Sequence, residues 1–347
     1  MNLLILESLG LFLAGGLLVG LLTPKIRSFA LRKKILDAPN SAHKTHFEPV
    51  PYLGGLAIIA GVLMVSLVST YLTNAELIGT MLGILVPPLF LAAIGLVDDI
   101  LNLSPWPRFL AQTLVGIAVA LILILSETFG SPTGSRIFDA VITILFIVGL
   151  SNSINFFDNV DGGASGAVAI SSFFLALITI LTSQFYIATL SLVLAGATLG
   201  FLWWNKSPAR IYMGDAGSLF LGSLLASLLV RLDTSPVVQP MSFFIPLFLV
   251  AAPLLDTCTA VTSRFARKVS PFKGGRDHLS HRLMRVGIEK VHAVFILWTL
   301  TTFFCLLSFF ISMSSPIYDS YFVMTGTITW LLSLAFFLYL PSSDSKN

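Results

Sequence analysis

The sequence predicts an all-α, polytopic integral membrane protein that forms one domain over residues 1–347. Its composition is 56% hydrophobic and only 11% charged, with a mean hydropathy of +0.91. Soluble domains carry roughly 25% charged residues, so little of this chain is left for a soluble domain. Two cysteines, Cys258 and Cys305, lie inside apolar runs, which indicates core thiols without a disulfide or metal framework.

About 11 apolar runs are long enough to be transmembrane helices. They cover roughly residues 3–22, 53–72, 78–97, 108–126, 137–154, 164–182, 185–203, 217–231, 241–260, 291–313 and 320–340. A transmembrane β-barrel is excluded because its strands would alternate apolar and polar residues over short segments. The first run lacks both a preceding basic region and a small-residue cleavage site, so we expect a retained span.

Basic residues set the expected orientation, because cytoplasmic loops carry an excess of Lys and Arg. Of the 20 Lys and Arg residues, all but Arg136 and Arg231 fall on one side of the predicted bundle. That side should be cytoplasmic, with the N-terminus outside and the C-terminus inside. The polar clusters lie on the same side, in loops near residues 37–55, 98–108, 152–166, 203–218 and 264–290.

The most informative of these clusters is residues 151–166, which read SNSINFFDNVDGGASG. Asn152, Asn155, Asp158 and Asp161 follow one another at steps of three between two membrane-length apolar runs. Carboxylates in such a setting are costly to keep and usually mark function. We expect a helix that ends at the following glycines, with these groups turned into a cavity. A solvated loop is the alternative, and the absence of Lys or Arg makes it the weaker one.

Two further acidic motifs precede and follow this stretch. Asp98 and Asp99 are adjacent at a predicted helix C-terminus, where the helix dipole disfavours negative charge, so a metal or proton-transfer role is indicated. Asp215 lies between glycines just before a predicted helix start. A carboxylate there suits Mg²⁺ bound to a diphosphate, since Mg²⁺ takes one or two carboxylates plus phosphate oxygens and water. An N-cap role is the alternative.

Two loops supply basic groups. Lys44 and His46 in the first loop could contact phosphate. In the ninth loop, Asp277 is expected to cap a short helix that shows several basic side chains on one face. Following Lys273 and Gly274-Gly275, this face predicts a diphosphate site, with Arg276 as a further substrate-binding candidate, and a solvated basic loop is the alternative. Those side chains are His278, His281, Arg282 and Arg285. Asp256, inside the ninth run, is expected to orient a basic partner.

Carboxylates with Mg²⁺ facing a cationic loop are what phosphoryl transfer requires. At a membrane boundary, such a site could join a water-soluble nucleotide to a lipid phosphate. No HExxH or Walker motif is present. A CDP-alcohol phosphotransferase needs DGxxAR, but here Asp161-Gly162 is followed by Gly163-Ala164-Ser165. A prenyltransferase motif of NxxxDxxxD type is also absent, because the Asn and Asp residues of 155–161 are one step too close.

Five ordered motifs between Asp37 and Gly287 resemble the polyprenyl-phosphate N-acetylhexosamine-1-phosphate transferases, glycosyltransferase family 4. They are DAPN…HKTHFEPVPYLGG, GLVDDI, NSINFFDNVDGGASG, FLWWNKSPARIYMGDAGSLFLG and RDHLSHRL. The resemblance implies attack by a lipid phosphate on the β-phosphate of a UDP-amino sugar, with release of UMP. It implies Mg²⁺ as cofactor, with Mn²⁺ as an alternative, and a UDP-sugar, undecaprenyl phosphate and the lipid bilayer as partners. Nucleic acid is not expected, and a homodimer is an open alternative.

The resemblance also implies roles for individual residues. Asp215 corresponds to the metal ligand, and Asp98 and Asp99 to an essential pair whose first member is a proposed base or nucleophile. Other residues correspond to the nucleotide pocket or to substrate contacts, and Asp158 and Asp161 are also candidate catalytic groups. These residues are Lys44, Asn152, Asn155, Asp158, Asp161 and Asn205.

The motifs favour the GlcNAc-1-phosphate branch of this family. The sequence His278-Leu279-Ser280-His281 stands where that branch usually has HxHH, and Asn159 replaces a glycine. The three consecutive histidines typical of the phospho-N-acetylmuramoyl-pentapeptide branch are absent. That branch and a cation-coupled transporter with carboxylates near mid-membrane remain alternatives. The expected location is the bacterial cytoplasmic membrane, with the active site facing the cytoplasm.

Overall fold

The computed structural model describes residues 2–37, 50–130, 133–235, 237, 240–271 and 275–342. Lys44 and His46 lie outside these ranges. Within them the chain is almost entirely helical, as predicted, apart from a short antiparallel pairing of β1 (Leu36–Asp37) with β2 (Val50–Pro51). The helices are α1 (Asn2–Lys33), α2 (Gly54–Asn74), α3 (Ile78–Leu101), α4 (Pro105–Ser126), α5 (Arg136–Phe157), α6 (Gly163–Leu181), α7 (Phe185–Asn205), α8 (Gly214–Leu229), α9 (Phe244–Leu249), α10 (Ala251–Ala266), α11 (Leu279–Arg285), α12 (Lys290–Met313) and α13 (Pro316–Tyr339).

Each predicted apolar run overlaps a helix, and the described chain is a polytopic membrane protein. Among the described residues, eight segments are long and apolar enough to cross a membrane, or nine with α9 and α10 taken as one broken span. One of the eight, Gly54–Leu101, has 48 residues and contains both α2 and α3. It folds back on itself, because Gly55 at its start and Gly95 near its end both lie against the first turn of α8.

The run predicted over residues 241–260 is not one straight helix. The segments Met241–Leu249 and Ala251–Ala266 meet at an angle of 80°. Pro253 explains the break, since it has no N–H to donate to the carbonyl of Leu249 and its ring would clash with that carbonyl. The Leu249 carbonyl instead accepts a long hydrogen bond of 3.7 Å from the buried thiol of Cys305. Cys305 is therefore a core thiol, as expected.

Helix α8 is the centre of the bundle. Every residue from Ala216 to Leu229 is buried, and the helix packs against α2, α3 and α5. The first and last helices, α1 and α13, are mostly exposed and carry large apolar side chains on their outer faces. Large apolar side chains on their outer faces are what membrane-spanning helices in contact with lipid require.

Helices α1 and α7 approach closely along a line of glycines. A Cβ atom added at Gly196 would lie 2.0 Å from the carbonyl oxygen of Phe12, and one added at Gly16 would lie 3.2 Å from the carbonyl oxygen of Gly196. Small residues at such a crossing let two membrane helices gain backbone contact that larger side chains would prevent. The α1–α7 interface therefore depends on these positions.

We expect Gly196→Leu to lower the midpoint of thermal unfolding in detergent, because overpacking at a tight contact costs about 1–3 kcal/mol. Gly10→Leu, on the partner helix α1 and with nothing within 4 Å of its added Cβ, is the matched control. Equal midpoints for the two variants would contradict this account of the interface.

Candidate active site

The predicted helix end in the polar stretch is present. Helix α5 ends at Phe157, Asp158 is its C-cap, and the chain turns before α6 begins at Gly163. Gly162 has a φ of +77°, a left-handed conformation that side chains with a Cβ rarely adopt. The carboxylates of this stretch therefore lie on a tight turn between two helices.

The carboxamide of Asn205 holds this turn in place. Its oxygen accepts hydrogen bonds from the Gly162 amide at 3.1 Å and the Ser165 hydroxyl at 2.9 Å. Its nitrogen donates to the Ile211 carbonyl at 3.1 Å, and the side chain is buried. The amide is thus engaged inside the fold, and a substrate contact by Asn205 stays a prediction.

Asn152 is engaged in a similar way. Its amide nitrogen donates to Gln112 at 2.6 Å and to the Val148 carbonyl at 2.8 Å, and its oxygen accepts from Gln112 at 3.3 Å. This reciprocal pair joins α4 to α5 one helical turn from Asn155. The structure gives Asn152 a packing role, and its predicted substrate contact is untested.

Asp99 lies at the C-terminal end of α3 and also at the N-terminus of α8. Its two oxygens accept hydrogen bonds from the amides of Asp215 at 2.9 Å and Ala216 at 3.2 Å. The favourable end of the α8 dipole therefore offsets the unfavourable end of the α3 dipole. Gly214 makes this contact possible, since a Cβ there would lie 2.6 Å from an Asp99 oxygen.

Arg108, on α4, joins two of the predicted carboxylates. Its Nη1 lies 2.5 Å from Asp98 Oδ2 and 2.7 Å from Asp215 Oδ2. The other oxygen of Asp215 accepts from Asn155 Nδ2 at 2.7 Å, and Asn155 also contacts Ser218 at 2.9 Å. Asp98, Asn155 and Asp215, predicted from separate motifs, are thus brought together by contacts among α3, α4, α5 and α8.

Asp161 pairs with a residue that sequence reasoning did not select. Lys290, the first residue of α12, places its Nζ 2.7 Å from Asp161 Oδ2, which also accepts from the Ala209 amide at 3.1 Å. Arg108 was likewise counted only as a loop charge. Nothing in the local pattern distinguishes either residue from other basic residues, and only the fold pairs them with their carboxylates.

Asp158 is the carboxylate with the fewest partners. It is half-buried, and no hydrogen bond to its side chain is found in the described chain. Burial raises its pKa well above the ordinary value, and the negative charges of Asp215, Asp161 and Asp99 raise it further. Asp158 is therefore a carboxyl group that holds a proton more tightly than a free aspartate does.

We call the five carboxylates and their two basic partners the acidic cluster. Its members are Asp98, Asp99, Asp158, Asp161, Asp215, Arg108 and Lys290. No three acidic, His or Cys side chains of the described residues already form a metal-binding group. However, oxygens of Asp98 and Asp215 converge on a single cationic nitrogen, so their donor set suits a hard cation.

The predicted capping role of Asp277 is wrong. The N-cap of α11 is His278, and the first amide of the helix, that of Leu279, bonds to Asp256 at 2.7 Å. Asp277 instead pairs with Arg264 at 3.0 Å and Arg267 at 2.6 Å. Burial by itself raises the pKa of Asp277, but the Arg264 hydrogen bond and the nearby positive charges outweigh it, and the pKa is lowered.

Asp256 has the orienting role that was expected of it. It is fully buried, and its Oδ2 lies 2.7 Å from Nδ1 of His278. The Nε2 atom of His278 faces Arg264 Nη2 at 3.4 Å, so this network favours the tautomer with its proton on Nδ1. The imidazole is thereby fixed in orientation.

The side chains of His281 and Arg282 point to different neighbours, so they do not form the common basic face that was expected on α11. Only the rings of His278 and His281 lie close together, with centroids 5.9 Å apart. Arg282 donates to the carbonyls of Phe337 and Leu340 because the end of α13 passes beside it. His281 Nδ1 is buried without a hydrogen-bond partner. Burial, followed by the charge of His278, lowers the pKa of His281 to about 4, so its ring is neutral at pH 7.

Residues 277–281, which we call the histidine loop, contact the turn that carries Asp158 and Asp161. The Phe156 ring packs edge-on against His278 at 5.7 Å and lies beneath Arg264 at 5.4 Å. Ser280 hydrogen-bonds Asn159. The two halves of the predicted site, acidic and basic, are therefore adjacent. Arg276 lies half-buried just before this loop, with its carbonyl bonded to Arg285.

Comparison with known proteins identifies the family to which this chain belongs. Residues 81–233 match the model of glycosyl transferase family 4, and that segment contains all five carboxylates of the acidic cluster. A probable undecaprenyl-phosphate N-acetylglucosaminyl 1-phosphate transferase from Bacillus subtilis is 31% identical over 93% of this chain and 90% of its own length.

Two other relatives represent both branches. An undecaprenyl-phosphate alpha-N-acetylglucosaminyl 1-phosphate transferase from Escherichia coli is 28% identical over 90% of this chain and 84% of its own. A phospho-N-acetylmuramoyl-pentapeptide-transferase from Streptococcus mutans is 30% identical over 60% of this chain and 67% of its own. The resemblance drawn from five motifs is confirmed, and the chain belongs to glycosyl transferase family 4.

Proposed function

We propose that the protein transfers N-acetylglucosamine-1-phosphate from a UDP-sugar to undecaprenyl phosphate. The observation that carries this proposal is the convergence of five carboxylates, from three motifs, beside the histidine loop. Relatives named for this reaction cover most of the chain and support it. The product, a lipid diphospho-sugar, would start the synthesis of a cell-envelope glycan.

The reaction forms one bond and breaks one. An oxygen of the lipid phosphate bonds to the β-phosphorus of the nucleotide sugar, and the bond from that phosphorus to the bridging oxygen breaks. UMP leaves with the bridging oxygen. The protein's main tasks are to position two polyanions and to balance charge that develops between them.

The acidic cluster would hold Mg²⁺ through Asp215, with Asp98 as the neighbouring carboxylate, and Mn²⁺ suits the same oxygens. When bound, the ion would neutralise charge on the diphosphate. Asp99 positions Asp215 by bonding to the first turn of α8. Asn155 holds the other Asp215 oxygen through a hydrogen bond of 2.7 Å.

Asp158 is our candidate for accepting the proton of the lipid phosphate. Its carboxylate lacks a hydrogen-bond partner in the described chain, and its raised pKa makes the ionised carboxylate a stronger base than that of a free aspartate. Asp98 is the alternative base or nucleophile suggested by resemblance. Both of its oxygens are engaged, by the Leu103 amide and Arg108, which makes it the less available group.

The basic side of the site would position the nucleotide diphosphate. His278, His281 and Arg276 remain the candidates there, since Arg282 bonds to backbone carbonyls. The unpartnered Nδ1 of His281 is a buried polar atom that a bound ligand could satisfy. Lys44 and His46 remain sequence predictions.

The tail of the lipid substrate, not its phosphate, has a candidate apolar surface. A cavity of about 270 Å³ lies among α5, α8 and α9, at the end of the bundle opposite the acidic cluster, and is lined by Phe146, Leu229 and other apolar side chains. Ile142 and Leu247 line it and are also exposed on the outside of the bundle. An isoprenoid chain entering from the bilayer would find apolar walls there.

We further propose eleven crossings of the bacterial cytoplasmic membrane, with the N-terminus outside, the C-terminus inside and the active site facing the cytoplasm. The asymmetry of Lys and Arg supports this orientation. A transporter would keep its carboxylates near mid-membrane. Here they lie at helix ends, which favours the enzyme.

Asp215→Asn tests the reaction and the metal assignment together. We expect UMP release from UDP-GlcNAc, undecaprenyl phosphate and Mg²⁺ to fall at least about a hundredfold, because a lost metal ligand removes several kcal/mol of charge stabilisation. EDTA should abolish release by the wild type. Glu76→Gln, an exposed charge change outside the site, is the control and should keep full activity.

Equal release by Asp215→Asn and the wild type would remove Asp215 from the metal role. Release only from a UDP-MurNAc-pentapeptide donor would favour the other branch. No release from any UDP-amino sugar would return the transporter to first place.

Arg108→Gln tests the charge balance without relying on activity. Removing the guanidinium leaves Asp98 and Asp215 uncompensated, so the thermal unfolding midpoint should fall in EDTA. Added Mg²⁺ should raise the midpoint more in this variant than in the wild type. Arg32→Gln, an exposed arginine of α1, should respond as the wild type does. An identical Mg²⁺ response in all three proteins would contradict a cation site at these oxygens.

Lys290→Gln tests the basic partner of Asp161. We expect the KM for UDP-GlcNAc to rise about tenfold with a smaller change in kcat, because Asp161 would no longer be held in the nucleotide pocket. Lys290→Arg should restore most of the affinity, and Lys25→Gln, an exposed charge loss on α1, should change neither constant. An unchanged KM in Lys290→Gln would show that the ion pair does not position Asp161.

A further inference from the structure

Arg231 is a buried cation at the end of α8 opposite the acidic cluster. Only 7% of its side chain is exposed. It follows a helix of 16 residues that begins beside Asp99, so it lies about 24 Å from the proposed reaction. The proposed transfer reaction assigns it no role.

The guanidinium of Arg231 has no acidic partner in the described part of the chain. Its Nη1 donates to the carbonyl oxygen and the hydroxyl of Ser227, both at 2.7 Å. Burial lowers the pKa of Arg231 to about 10, so the group keeps its charge at neutral pH. Buried charges are normally paired, and an unpaired one is strongly destabilising.

A second donor without an acceptor lies next to it. The hydroxyl of Tyr186, at the start of α7, is buried and has no hydrogen-bond partner, and it interacts electrostatically with Arg231. Gln184 and Asp233 hold these two segments together through reciprocal hydrogen bonds of 2.7 and 2.8 Å. The guanidinium and the phenol both donate, so what this place lacks is an anionic acceptor.

We propose that Arg231 and Tyr186 bind a phosphate group at the membrane face opposite the active site. Phosphate oxygens accept several hydrogen bonds at once, and a guanidinium matches their geometry. The group can come from the headgroup of an anionic phospholipid or from phosphate in solution. It is separate from the substrate phosphates, which would bind beside Asp215 at the other end of α8.

The test uses the full-length protein, delipidated in detergent and titrated with phosphatidylglycerol. Bound lipid is counted by native mass spectrometry, and the thermal unfolding midpoint is recorded in parallel. Arg231→Gln should weaken lipid binding at least about tenfold, since a hydrogen-bonded charge pair is lost. Arg136→Gln removes an exposed charge from the same face and should bind as the wild type does. Diacylglycerol, which lacks the phosphate, should not stabilise any of the proteins.

Tyr186→Phe is the second variant, because it removes only the hydroxyl and keeps the packing of the ring. It should bind phosphatidylglycerol more weakly than the wild type and more tightly than Arg231→Gln. If inorganic phosphate alone raises the wild-type midpoint as much as the lipid does, the ligand is a soluble anion. The proposal would be overturned if Arg231→Gln and Tyr186→Phe both bound phosphatidylglycerol as tightly as the wild type does. It would also be overturned if diacylglycerol raised the wild-type midpoint as much as phosphatidylglycerol does. UMP release is measured separately, so the lipid-binding result can be interpreted even if the transferase proposal fails.

Discussion

The structure depends on the contact between the Asp99 carboxylate and the amides of Asp215 and Ala216 in the first turn of α8. This contact joins the end of α3 to the start of the most buried helix in the molecule. A hydrogen bond to a charged group contributes about 1.5–3 kcal/mol, and here two are formed where unsatisfied amides would otherwise remain. Gly95 permits the approach, since a Cβ there would lie 2.5 Å from the Asp215 backbone. The position of Asp215 is therefore set by backbone contacts, before any ligand binds.

The other charged side chains of the site are likewise held in place by protein partners. Arg108 and Lys290 hold carboxylates that would otherwise repel one another, and each comes from a different helix. Asp256 fixes His278 in the same manner on the basic side. Groups held in advance need little reorganisation when charge develops, which is the main way in which a protein site stabilises a polyanionic reaction. The site is thus a set of mutually positioned charges at the ends of several helices.

Much of this arrangement could be predicted from the sequence. The apolar runs and the helix end at Asp158 follow from local patterns, and the placement of Asp98, Asn155 and Asp215 on one membrane face follows from the predicted topology. The 80° bend at Val250 was missed because a hydropathy run does not report direction. Asn152, Asn205 and Arg282 have polar groups that suit a ligand, yet the fold engages each of them internally. Arg108 and Lys290 were undervalued because their partners lie far away in sequence, and only tertiary structure identifies such pairs.

Arg282 links the histidine loop to the outermost helix. Its guanidinium bonds to the carbonyls of Phe337 and Leu340, in the last turn of α13 and just beyond it, while its Nε bonds to the Asp277 carbonyl. Helix α13 lies on the outside of the bundle and is largely exposed. Its C-terminus is nevertheless tied to the histidine loop, which contacts the turn that carries Asp158 and Asp161. Bilayer thickness and tension act first on such a peripheral helix. The lipid environment therefore has a direct connection, through Arg282, to the histidine loop.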